Sequence, residues 1–260
     1  MTRIRISERK EYKEQFRMFM TLSNSVRKEI RSLFKNYSRI LEDNYVRNLE
    51  ITDEVYDNFF EDLFKILRIS ADRVIRQSYE RLQRVRAKQE ESDLDLIIKN
   101  YVYSHTAVNV VRINLTTRLA IQRAIAVGIE EGLALSAIGK KLQKLPILAP
   151  YRATLIARTE THSAMNHGHQ KTAELLGLTK PLKKWVSALD DRTRSWHRFV
   201  NQGQPIGINE NFIIMTPTSK GNPPVPKELQ YAGDMNGGAS NTINCRCFVL
   251  YFDSSDIIEK

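Results

Sequence analysis

The sequence predicts an α+β protein: an elongated all-helical region over residues 1–145, followed by a small mixed domain over residues 146–260 with a short antiparallel sheet. Three observations predict it. Apolar residues recur at steps of three and four through the first 130 residues. Proline and glycine become frequent only from Pro146 onward. The chain then finishes on a β-rich run, Cys245-Arg246-Cys247-Phe248-Val249-Leu250-Tyr251-Phe252, uninterrupted by glycine or proline.

The elements follow in order. From Glu11 to Leu41, Phe16, Phe19, Leu22, Val26, Ile30, Leu33, Tyr37 and Ile40 share one face of a long amphipathic helix. A second helix starts near Asp53, with Thr52 or Asp53 as N-cap, and carries Val55, Phe59, Leu63, Leu67, Val74, Ile75, Tyr79 and Leu82. After the polar patch 88–93, a third stretch carries Leu94, Ile98 and Tyr101, and a fourth Val110, Leu115, Leu119, Ile121 and Ile125. Gly128 and Gly132 punctuate, and a short helix over Leu135–Leu145 stops before Pro146.

In the last third, Tyr151–Leu176 reads as a helix ended by Gly177 and Pro181. Gly168 inside it costs about 1 kcal/mol relative to alanine, which points to close approach by another backbone. Lys183–Ala188 reads as a strand, and Asp190 or Asp191 as the cap of a short helix through Trp196 and His197. Trp185 and Trp196 read as core anchors. Alternation along the final strand places Cys245 and Cys247 on one side and Arg246 on the other.

Composition narrows the classes. The chain has 260 residues and a net charge of +10, of which +7 lies in residues 1–150. There is no run of eighteen apolar residues and the N-terminus is charged, so no membrane span and an intracellular origin are expected. Cys245 and Cys247 are too close in sequence for an unstrained bridge and are read as reduced. No Gly-rich phosphate loop, nucleophile elbow or paired-carboxylate motif occurs, which argues against an ATPase, a serine hydrolase or a two-metal nuclease.

Three sets of residues carry candidate chemistry. Lys65–Lys88 holds eight basic residues against two acidic ones, and Arg73, Arg76, Arg84 and Lys88 share roughly one helix face. Such a stripe suits double-stranded DNA, an acidic protein partner, or simply solvent. Cys245 and Cys247 with an imidazole from His197 or His162 would supply the ligand types zinc prefers, although one intervening residue is tighter than usual; otherwise the two thiols are small buried hydrophobes. Glu160 with His162 and His197 offers an acid–base set for a nuclease or toxin-like effector. Charged residues such as Arg158, Glu160, Asp191 and Arg192 more commonly tie elements together.

The ordered set Ala157-Arg158-Thr159-Glu160-Thr161, Asn166, Gly168, Trp185, Asp191-Arg192-Thr193-Arg194, His197, Gly203 and Asn244-Cys245-Arg246-Cys247 resembles the phage Mu F-like minor head protein family, over about residues 128–252. The resemblance implies a non-enzymatic virion protein of a tailed bacteriophage, assembled in the bacterial host cytoplasm. It implies a variable helical N-terminal region that attaches to the portal protein and capsid interior, and no small-molecule substrate. Arg158, Thr159, Glu160, Trp185, Asp191, Arg192, His197 and Asn244 are its expected structural motif.

Overall fold

The computed structural model describes residues 5–85, 92–188, 190–218 and 222–259, and its architecture is α+β. The helices are α1 (Glu8–Asn48), α2 (Asp53–Val85), α3 (Ser92–Tyr101), α4 (Ala107–Glu130), α5 (Leu135–Gln143) and α6 (Pro150–Leu175), then the single turns α7 (Ser195–Arg198) and α8 (Ala239–Thr242). Glu8 and Glu11 in the first turn of α1 and Arg47 in its last complement the helix dipole and lengthen the helix beyond its apolar stripe. The third and fourth stretches expected from periodicity form one continuous helical run: a π-helical turn, Val102–Thr106, joins α3 to α4.

The strands are β1 (Arg5–Ser7), β2 (Pro181–Val186), β3 (Ile206–Gly207), β4 (Phe212–Thr216), β5 (Val225–Leu229), β6 (Phe248–Asp253) and β7 (Ile257–Glu259). Antiparallel pairing orders three of them β3-β2-β6, with Trp185 opposite Val249 and Val186 opposite Phe248. β4 and β5 form an antiparallel hairpin, and β1 pairs in parallel with β7; neither pair was read from the sequence.

Contact density divides the chain into two compact units that are discontinuous in sequence, whereas a boundary at 145/146 marks a change of sequence texture. One unit comprises Ser23–Ser70 and Val102–Ala157. It is wholly helical, and its core is aliphatic and aromatic: Ile30, Phe34, Tyr37, Leu41, Tyr45, Phe59, Leu63, Leu67, Val110, Ile121, Ile138 and Leu142 are buried. Among the described residues, no helix is long and apolar enough to cross a membrane.

The other unit comprises Met1–Leu22, Ala71–Tyr101 and Arg158–Lys260. Its centre is the stretch of α6 from Thr161 to Gln170, buried at every position except the half-buried His167. A Cβ on Gly168 would lie 3.2 Å from the Ile75 Cα and 3.1 Å from the Ser78 Cβ, so the glycine lets α2 pass against α6. β6 is buried at all six positions, on both faces.

Candidate functional site

The polar residues of the last third converge on three segments: α6, the turn 190–198, and the chain from Asn241 into β6. Asp190 organises the turn. Its Oδ1 accepts the Arg192 backbone N–H at 3.1 Å and the Thr193 hydroxyl at 2.9 Å, and Arg246 clamps the carboxylate through two bonds of 2.5 and 2.6 Å. The guanidinium holds the Asp190 carboxyl below its usual range. At this turn the ion pair is made by Asp190 and Arg246; Asp191 and Arg192 are exposed, and Asp190 stabilises a turn rather than capping α7.

The two cysteines lie in the extended lead-in before β6, not in the strand. They follow Asn244, whose φ of 53° is the left-handed conformation that asparagine tolerates better than most residues. The Asn244 N–H donates to Thr159 Oγ1 at 3.0 Å, which ties this lead-in to α6. Both thiols are free and buried, and both face His197 Nδ1, at 3.6 Å from Cys245 Sγ and 3.7 Å from Cys247 Sγ. Arg246 between them reaches Asp190 instead. The neighbouring Cys247 sulfur holds the Cys245 thiol well below the ordinary thiol range against the opposing effect of burial, while the same contact and burial push Cys247 up. Trp185, a core residue, sets its ring edge-on to His197 with centroids 5.4 Å apart.

His162 does not join this cluster. Its Nε2 donates to the Cys247 carbonyl at 2.6 Å, and its Nδ1 faces Gly233, where a Cβ would come within 2.7 Å. Gly233 is also held at a φ of 88°, so both space and backbone require glycine there. Burial lowers the His162 pKa. With His162 and His197 buried and engaged internally, the acid–base set Glu160/His162/His197 has no exposed histidine to present to a substrate.

Sequence reasoning missed Asn241. Its Oδ1 accepts Trp196 Nε1–H at 2.9 Å and pairs with His197 Nε2 at 3.0 Å, while its Nδ2 donates to Thr216 Oγ1 and the Gly237 carbonyl. It also missed Lys183, a buried lysine whose Nζ donates to the Gln230 carbonyl at 2.8 Å and to Gln170 Oε1 at 3.3 Å; burial lowers its pKa to about 8. Both sit in polar local sequence, and only their spatial partners distinguish them.

The basic stripe is partly consumed by ion pairs. Arg76 bonds Asp72 at 3.2 Å and Asp95 at 2.6 Å, and Arg81 reaches Glu11 and Glu14. Arg73 is exposed, Arg84 lies in the last turn of α2, and Lys88 lies outside the described residues.

Comparison with known proteins agrees with the ordered motif. The chain is 32% identical over 148 residues to the minor head protein GP7 of Bacillus phage SPP1, an alignment covering 56% of this chain and 44% of that protein, so the chain spans less than half of its relative's length. No solved structure matches. The family model described as "Phage Mu protein F like protein" matches residues 120–250, which takes in α6, the Asp190 turn and the two cysteines, and the chain belongs to that family.

Proposed function

We propose that the chain is a minor head protein of a tailed bacteriophage that acts in head morphogenesis as an architectural component, binding the portal protein and the capsid interior. The observation that carries this reading is the family match over residues 120–250 together with a relative named as a minor head protein. The site geometry supports an architectural role: Thr159, Asp190, Asn241, Asn244 and Arg246 spend their polar groups on joining chain segments. Its place is the virion, after assembly in the bacterial cytoplasm.

Attachment is supported by the surface of α4. Val108, Val111, Leu115 and Leu119 lie three and four residues apart, and all are exposed, the last three by more than half. That apolar ridge has the spacing of one helix face, which is the form a partner helix or groove recognises. Co-expression with the portal protein of the same phage should yield a complex that survives mild salt. Leu115→Asp with Leu119→Asp should abolish co-purification while leaving the helical content unchanged. Failure of the wild-type pair to co-purify would overturn the portal assignment. DNA contact would rest on exposed cations of the α2 stripe such as Arg73, and requires filter binding that weakens steeply with salt and depends on that residue.

A further inference from the structure

We propose that His197, Cys245 and Cys247 are three protein ligands of a buried zinc ion. Their ligand atoms all lie within 4.8 Å of one another, and all three side chains are buried.

The protonation of His197 is fixed by its surroundings. An indole N–H can only donate, so the Asn241 atom that Trp196 meets is the carbonyl oxygen. The amide nitrogen of Asn241 is accounted for by Thr216 and Gly237. His197 Nε2, 3.0 Å from the same oxygen, must therefore carry the hydrogen, and Nδ1 presents a bare lone pair towards the two sulfurs. A metal-bound histidine is oriented in this way, its distal N–H donated to a fixed acceptor.

The distances fit a common centre. Zinc bonds of about 2.3 Å to sulfur and about 2.0–2.1 Å to nitrogen, meeting at a tetrahedral angle, put each sulfur about 3.6 Å from the nitrogen. Cys245 Sγ lies 3.6 Å and Cys247 Sγ 3.7 Å from Nδ1. A single thiol-to-imidazole hydrogen bond also spans such a distance. One lone pair accepts one S–H in line, however, and here two sulfurs stand almost equally far from it. Among the described residues no fourth histidine, cysteine or carboxylate joins the group, which leaves one position of the ion for water.

The full-length chain, purified without chelators, should contain about one zinc per chain by elemental mass spectrometry. Replacement by cobalt(II) should give a thiolate-to-cobalt charge-transfer band and the visible bands of a tetrahedral ion. Cys247→Ser and His197→Gln should each lose most of the metal. Should either variant fail to fold, the wild-type cobalt titration decides alone. Less than about a tenth of an equivalent of zinc, with no charge-transfer band on adding cobalt, overturns the proposal.

Discussion

In the helical unit the fully buried side chains are Ile30, Leu41, Leu63, Val110, Ile121, Leu142 and their like, and the buried polar side chains that accompany them are, apart from His105, the hydroxyls of serines and threonines such as Ser23 and Thr117. In the unit around α6 the buried residues include His162, Ser163, Asn166, His169, Gln170 and Thr172 on one helix, with Lys183, His197 and Asn241 packed nearby. The first unit is stabilised by apolar area and shape, which are graded and tolerant. The second depends on donor–acceptor pairing, where each misplaced partner leaves a desolvated group worth about 1–3 kcal/mol. Apolar packing makes a helical scaffold; polar pairing fixes a unique arrangement of short segments.

Truncation in the apolar core should have the largest effect. Leu63 is fully buried, so Leu63→Ala should lower unfolding free energy by about 2–5 kcal/mol in urea titration. A loss below about 1 kcal/mol would mean that the helical unit is loosely packed and that the contrast between the units is overdrawn.

Acid should act on the other unit. His169 is buried with neither ring nitrogen hydrogen-bonded, and burial, helped by the positive charge of Arg81 and opposed by Glu11, lowers its pKa to about 3. The unfolded chain takes up that proton near 6.5, so it binds more protons than the folded chain between about pH 6.5 and 3, and stability falls as the pH drops through that window. His169→Leu should flatten this acid limb in pH-dependent thermal melts. At neutral pH it should be close to neutral or stabilising, because it removes two orphaned nitrogens. An unchanged acid limb would show that some other group drives acid unfolding.

The same contrast explains what was legible in the sequence. Helices α1 and α2 were readable because Val26, Ile30, Leu63 and Leu67 repeat at the helical period, and that period alone decides which face is buried. The close approach at Gly168 was readable because a mid-helix glycine needs a reason. The π turn at 102–106 was not, since one extra residue per turn leaves an apolar pattern almost intact. The faces of α6 that carry His162 and Ser163 are polar, and their burial becomes visible only with the partners that satisfy them, such as the Cys247 carbonyl for His162 and the Gly233 carbonyl for Ser163. At the site, residue types pointed to an imidazole beside the thiols but left His197 and His162 open, and Asn241 and the choice of Asp190 over Asp191 depended on backbone turns that no spacing encodes.

That choice of aspartate gives the smallest expected effect and the sharpest test of the polar unit. The Asp190 side chain is 41% exposed and that of Arg246 12%, so water screens the pair despite its two short bonds. Asp190→Asn should therefore cost only about 0.2–1 kcal/mol. Because Arg246 lowers the folded-state pKa of Asp190, the pair contributes fully above the ordinary carboxylate value, near 3.9, and its contribution is lost as the pH falls from there through the lower value of the folded state. A double-mutant cycle with Arg246→Met, in chemical denaturation at pH 7 and again at pH 3, should show a smaller coupling at the second pH than at the first. Asp191→Asn should couple to Arg246 at neither. Coupling of Arg246 to Asp191 instead would mean that the second aspartate holds the turn, and the pairing at the Asp190 turn would have to be redrawn.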